Sequence, residues 1–118
     1  MKFNLLHHIA IICRDEKLGF ELLKRHITKK DVLLKLKKDN LILELFIKPN
    51  ASKRVSGLPV GEACGLRHLA FKVDDINKAV TYLEDLGIVC EKIRFDEFDK
   101  RKMTLLKDPD SLSIELHE

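Results

Sequence analysis

Four side chains in this sequence can hold a metal or move a proton, and they come as a repeated pair. Leu6-His7-His8-Ile9-Ala10-Ile11 matches Leu66-Arg67-His68-Leu69-Ala70-Phe71, and Leu43-Glu44-Leu45 matches Ile114-Glu115-Leu116. Each half of the chain therefore runs from a His-bearing segment to a Glu-bearing one. Two halves related by a pseudo-two-fold would bring His8, Glu44, His68 and Glu115 to one point. Two imidazoles and two carboxylates are a ligand set for a divalent transition metal. With no thiolate among them, they suit nickel, cobalt, manganese or zinc alike.

Strand alternation decides which side chains share a face. It groups His8, Ala10 and Ile12 against His7, Ile9 and Ile11, and His68 and Ala70 against Arg67, Leu69 and Phe71. The repeat thus selects His8 over His7 and leaves Arg67 outside the site. Ala10 and Ala70 are small enough to leave room for a bound molecule. The bland alternative makes each His an ordinary strand residue bonded to a neighbour; repetition of the whole hexad weighs against it. Glu44 stands in Leu41–Ile47, where every other residue is apolar. A carboxylate buried there without a partner would be costly, so it calls for a cation, a metal or a solvated face. Ile42 and Phe46 on its own face argue against solvent. Glu115 is less telling alone, because its face neighbours Ser113 and His117 are polar; its weight comes from matching Glu44. His26 reads as a surface residue; His117 reads as either a residue supporting the ligands from behind or a surface residue, with surface favoured. Lys102 and Thr104 could reach the site from the penultimate strand, but Lys100-Arg101-Lys102 reads more readily as an exposed hairpin end.

The elements that must position these residues follow from periodicity. Strands are expected over Leu5–Cys13, from Phe20 to Leu23, over Asp31–Leu36 and over Leu41–Ile47, the last two joined by a turn at Asp39-Asn40. Lys48 to Gly65 is rich in Pro, Gly, Asn and Ser and reads as a linker. The second half restarts with a strand over Leu66–Val73. A helix capped by Asp74 or Asp75 then runs to about Asp85, with Ile76, Val80 and Leu83 on one face and Gly87 as its stop. An edge strand over Ile88–Phe95 and a hairpin of Lys102–Lys107 with Leu112–Leu116 complete a β-α-β-β-β order, the hairpin turning at Asp108-Pro109-Asp110. In the first half only Glu16 and Lys17 stand where the second has Ile76 to Asp85. Eight residues, about two helical turns, are missing. Either the sequence omits a poorly ordered segment, which is the favoured account, or the first module has lost its helix and pairs differently.

Composition bounds the function classes. At 118 residues the chain is expected to be one domain, 1–118, with module one at 1–47, the linker at 48–65 and module two at 66–118. It is 45% apolar and 35% charged, enough for a core and a polar surface. Its net charge of +3 comes from 22 basic and 19 acidic residues scattered along the chain, with six Phe, one Tyr and no Trp. That disfavours nucleic acid, which asks for a basic stripe or stacking platforms. Cys13, Cys64 and Cys90 form no C-x-x-C pair and suit a reducing, cytoplasmic compartment. No secretory signal and no membrane span of roughly 20 apolar residues is expected.

His-His-Ile-Ala-Ile at 7–11, Leu-Glu-Leu-Phe at 43–46, Gly-Leu-Arg-His-Leu-Ala-Phe at 65–71 and Asp-Pro-Asp…Ile-Glu-Leu at 108–116 together resemble the vicinal oxygen chelate superfamily, the glyoxalase I and bleomycin-resistance fold, and within it small bacterial lactoylglutathione-lyase-type members. The resemblance covers nearly the whole chain apart from the eight-residue gap. It implies an α+β fold of two βαβββ modules whose sheets curve into a cup around one metal, with the first-module helix missing here. Carried over residue by residue, the ligands are His8, Glu44, His68 and Glu115. Family members bind nickel, cobalt, zinc, manganese or iron, and many form homodimers. Ser111 departs from the Gly usual after Asp-Pro-Asp, which is expected to alter the turn and not the site.

The chemistry expected on this basis is that of a lyase or isomerase. The metal would take two neighbouring oxygens of a small-molecule hemithioacetal or thioester and stabilise an enediolate. Glu115 or Glu44 would move a proton between the adjacent carbons. An epimerase acting beside a thioester is the nearest rival. Thiol transfer and aromatic ring opening by oxygen are more distant ones; the ring-opening version prefers two His and one Glu, so Glu44 argues against it. A metal-free module that sequesters a drug or other small ligand, or a purely structural protein, is the alternative outside catalysis.

Overall fold

A computed structural model describes residues 1, 5–14, 23–27, 32–38, 41–54, 64–108 and 110–118. The chain divides into two compact units, Met1–Lys53 and Arg54–Glu118, with the boundary inside the expected linker. The fold is α+β, eight strands and one helix among the described residues.

The first unit holds β1 (Ile9–Cys13), β2 (Leu23–Ile27), β3 (Val32–Lys38) and β4 (Leu41–Ile47) in one sheet of order β1-β4-β3-β2. β1 runs parallel to β4, and β3 is antiparallel to both of its neighbours. The alternation in β4 sets the core: Leu43, Leu45 and Ile47 are buried, while Ile42, Glu44 and Phe46 lie half-buried on the other face. Register places Ile9, Ile11 and Cys13 opposite the buried set, and Ala10 and Ile12 opposite Glu44 and Phe46.

The second unit holds β5 (His68–Lys72), α1 (Ile76–Asp85), β6 (Arg94–Phe95), β7 (Lys102–Lys107) and β8 (Ser113–His117). Its sheet order, β5-β8-β7-β6, repeats that of the first unit strand for strand. α1 begins where the Asp75 side chain accepts the Lys78 amide at 3.0 Å. Hydrogen bonds to the Lys78 amide hold the Asp75 carboxyl below its ordinary pKa. Ile76, fully buried, has its amide held by Glu118 Oε1 at 3.0 Å, so the end of the chain ties down the start of the helix. Gly87, at φ +79°, closes the helix: its amide reaches the Glu84 carbonyl and that of Ile88 the Leu83 carbonyl. Thr104 and Leu106 on β7 face the core side with Ile114 and Leu116 of β8.

Several boundaries differ from the sequence expectations. β1 starts at Ile9; Leu5 and Leu6 are exposed, since apolar character alone supplies no ladder partner. β2 is Leu23–Ile27, where Lys24, Arg25 and His26 conceal the strand, and most of the strand expected from Phe20 lies outside the described residues. The strand expected over Ile88–Phe95 shrinks to Arg94–Phe95 and a single bridge from Cys90 to Leu106. There the Thr104 hydroxyl donates to the Glu91 carbonyl at 2.7 Å in place of a regular ladder. The shortened first module does not pair differently: its strand order is intact. The Asp39-Asn40 turn and residues 15–22, where its helix would stand, lie outside the described residues.

The turn before β8 is built on Asp108, whose carboxylate accepts the amides of Asp110 and Leu112, both at 2.8 Å. Burial pushes this carboxyl above its ordinary pKa, against the pull of those two amides. Ser111 sits at φ +70°, where glycine is at ease and an L side chain is not. Left-handed backbone costs a non-glycine residue about 1–2 kcal/mol, of which glycine's extra chain entropy returns part. Ser111→Gly is therefore expected to raise stability by about 0.5–1 kcal/mol, read as a higher urea midpoint at unchanged slope.

Candidate metal centre

The two Glu-bearing strands present their carboxylates in the same way. In the first unit β1 and β4 pair with Ala10 opposite Glu44; in the second, β5 and β8 pair with Ala70 opposite Glu115. In each case the His stands two residues before the Ala, on the same face. The His8 Nε2 to Glu44 Oε2 distance is 3.9 Å, and that from His68 Nε2 to Glu115 Oε2 is 3.3 Å. Each unit thus brings its own His near its own Glu. The His8 ring also meets His7 edge-on, Nδ1 to Nδ1 at 2.9 Å.

The donor set can be tested against metal geometry. Two N or O donors held about 2.1 Å from one ion stand about 3.0 Å apart at a right angle and about 3.4 Å apart at the tetrahedral angle. The His68–Glu115 spacing falls inside that interval, and the His8–Glu44 pair needs a small closure to enter it. Each His–Glu pair, taken by itself, therefore suits two ligands of a divalent metal. Glu115 is the more deeply placed carboxylate, with its side chain 12% exposed against 17% for Glu44. Leu105 stands directly opposite Glu115 on β7.

An open cavity of about 930 Å³ lies over this face of the second unit. His68, Glu115, His117, Met103 and Leu105 form part of its wall. Arg67 lines it too, which corrects the expectation that it stands outside: Arg67 precedes the first paired residue of β5, so strand alternation does not govern it. Thr104 is buried on the core side and bonded to Glu91, so it does not reach the site, and Lys102 shares its parity. Met103 and Leu105 occupy the positions that those two could have taken.

His117 is not a plain surface residue. Two positions beyond Glu115 on β8, it shares the site face, with its side chain 21% exposed and its Nε2 3.1 Å from Asp99 Oδ2. Asp96, Glu115 and His117 each place one donor atom within 4.8 Å of the others. The i, i+2 spacing of Glu115 and His117 is the signal that could have found His117; nothing local marks Asp96. Asp96 sits in the loop after β6, where its carboxylate accepts the amides of Phe98 at 2.7 Å and Asp99 at 3.1 Å. Those bonds hold it below the ordinary carboxylate range. None of the three cysteines forms a disulfide; Cys13 is buried, Cys90 half-buried and Cys64 exposed. No helix of the described residues is long and apolar enough to cross a membrane.

Comparison with known proteins agrees with the architecture. The Escherichia coli (strain K12) protein YaeR is 41% identical, the match covering 96% of this chain and 95% of YaeR. That alignment runs over 128 positions against the 118 residues present here, so YaeR carries residues that face gaps in this chain. The crystal structure of a glyoxalase family protein from Enterococcus faecalis is similar over 100% of both chains, at 43% identity and a TM-score of 0.80. A lactoylglutathione lyase from Agrobacterium tumefaciens shares the fold at 21% identity and a TM-score of 0.65, over 100% of this chain and 96% of its own. Residues 6–116 match the family model, and the chain belongs to the Glyoxalase/Bleomycin resistance protein/Dioxygenase superfamily.

Proposed function

We propose that this chain is a metal-dependent, glyoxalase-like lyase or isomerase that moves a proton between adjacent carbons of a small hemithioacetal or thioester. One observation carries the reading: each unit sets its Glu opposite an Ala in the same register, with a His ring within 4 Å of that carboxylate, 3.9 Å for His8 and 3.3 Å for His68. In this reading His8, Glu44, His68 and Glu115 converge on one divalent ion, nickel, cobalt, zinc or manganese, within a cup formed by the two modules of a single 1–118 domain.

The bound ion supplies Lewis-acid stabilisation of charge that develops on two neighbouring substrate oxygens. The chain's own residues do the rest. Glu115 is the proton carrier, taking a proton from one substrate carbon and returning it to the next; Glu44 is the second candidate for this role. His68, 3.3 Å from Glu115 Oε2, fixes that carboxylate's direction. Ala70, opposite Glu115, leaves the face above it clear. Substrate enters through the open cavity of the second unit, past Arg67.

A second reading has its own support. At 3.3 Å, His68 and Glu115 already satisfy one another, so a metal-free small-ligand or drug-binding module of the same fold also fits them. Resistance proteins belong to this superfamily. Homodimer formation and a cytoplasmic location accompany both readings as proposals.

Elemental analysis of protein purified without chelator or metal-affinity tag, beside His68→Ala, separates the two. The expected result is bound transition metal in wild type, with about one ion per chain lost in the variant. No metal in either protein, even after loading with nickel, cobalt, manganese or zinc, gives the binding module the lead.

A further inference from the structure

The repeat accounts for His68 and Glu115 but not for what stands beside them. Glu44 has Ile42 and Phe46 on its face, whereas Glu115 has Ser113 and His117. The second unit therefore carries a ligand-type residue with no counterpart in the first, and it stands against two further carboxylates from the β6–β7 loop, Asp96 and Asp99. We propose that Asp96, Glu115 and His117 form a second divalent-cation site, held within the second unit alone and sharing Glu115 with His68.

Ring chemistry supports this assignment. His117 Nδ1 is 2.8 Å from the Glu118 carbonyl, which can only accept, so Nδ1 carries the hydrogen and donates. A histidine whose one nitrogen is fixed by a backbone carbonyl offers the other to a metal, the usual outer-sphere arrangement of imidazole ligands. That other nitrogen, Nε2, faces the carboxylates and lies 3.1 Å from Asp99 Oδ2, a pairing that a bound ion displaces. Asp96, Asp99 and Glu115 set three carboxylates around one imidazole. Lys100 acts on Asp96, and Arg54, Arg67, Arg94 and Lys107 line the same cavity, so what a divalent ion adds is coordination at one point and not the balance of charge. Three donors on one ion stand about 3.0–3.4 Å apart, with at most one opposite pair at about 4.2 Å, so a set within 4.8 Å of one another must draw together on binding, by rotation of the side chains. Asp96 is well suited to the role: the loop amides bind its Oδ1 and leave Oδ2 for a ligand.

The site rests on the second unit's own geometry and stands or falls separately from convergence of the four repeated residues. Cobalt(II) serves as the probe, because its visible absorption reports coordination. Equilibrium dialysis of the full chain is compared for wild type, His68→Ala, Asp96→Asn and His117→Gln. Asparagine keeps the Oδ1 acceptor that the loop amides need, and thermal unfolding in chelator verifies that each variant is folded. The expected result is two equivalents in wild type and one in each of Asp96→Asn and His117→Gln. His68→Ala keeps the ion that those two variants lose. If wild type binds a single ion that survives His68→Ala but not His117→Gln or Asp96→Asn, this site stands and the four-residue centre falls. Wild-type stoichiometry and affinity in both Asp96→Asn and His117→Gln, or no cobalt bound at all, would overturn it.

Discussion

Glu115→Gln is expected to lower kcat by about 10²–10⁴-fold while most of the metal stays bound, the range by which a positioned general base accelerates proton transfer. Glutamine keeps the shape of the side chain and one carbonyl oxygen for a ligand, but it cannot take a proton from carbon. Its place on β8 stays fixed by the ladders to β5 and β7, so the substitution changes chemistry and not position. Turnover of the hemithioacetal of methylglyoxal and a thiol, with metal content measured on the same preparation, gives both readouts. Full activity would remove Glu115 from the base role and pass it to Glu44. Loss of metal together with loss of activity would make Glu115 a ligand first. A thiol-dependent reaction also separates this chemistry from epimerisation beside a thioester, which needs no free thiol.

Much of the fold was legible because the repeat is carried by side chains with strict periodicity. Parity on Ile9–Cys13 and Leu41–Ile47 told which residues face the core, and burial follows it: Leu43, Leu45 and Ile47 inside, Glu44 with Ile42 and Phe46 on the other side. The helix was equally plain, since Asp75 caps it and Gly87 ends it. What local pattern could not reveal is which strand lies beside which. Lys24, Arg25 and His26 of β2 look like a loop until β3 supplies their ladder. The edge at β6 is shorter than its apolar content suggested, because Thr104 and Leu105 bond the Glu91 backbone through a hydroxyl and a carbonyl. The site shows the same division. His8, Glu44, His68 and Glu115 are marked by repetition, whereas Asp96 reaches Glu115 only through the non-local pairing of β6, β7 and β8. For a related reason the sequence leaves His117 between a supporting role and the surface. Polar neighbours of Glu115 were weighed as signs of solvent, when the same parity places them on the face that the cavity covers.

Leu45→Ala is expected to cost the fold about 2–5 kcal/mol, the usual loss when a fully buried leucine leaves a cavity. Leu45 is 1% exposed and stands in register between Ile11 of β1 and Leu34 of β3. Its neighbour Glu44 points to the opposite face, so the two residues test core and site separately on one strand. Glu44→Gln, at a partly exposed position, is expected to change stability by only about 1 kcal/mol or less in chelator. Urea unfolding with chelator and then with saturating metal distinguishes them. A metal that binds only the folded chain raises its stability according to its affinity. Leu45→Ala should start from a lower midpoint yet gain as much from metal as wild type does. Glu44→Gln should start near wild type and gain less, because a ligand is gone. If Glu44→Gln instead unfolds in chelator, the carboxylate serves the sheet and not an ion. If Leu45→Ala loses its response to metal while still folded, the core face of β4 and its site face are coupled, and the first unit's pair depends on packing behind the strand as much as on the ligands in front of it.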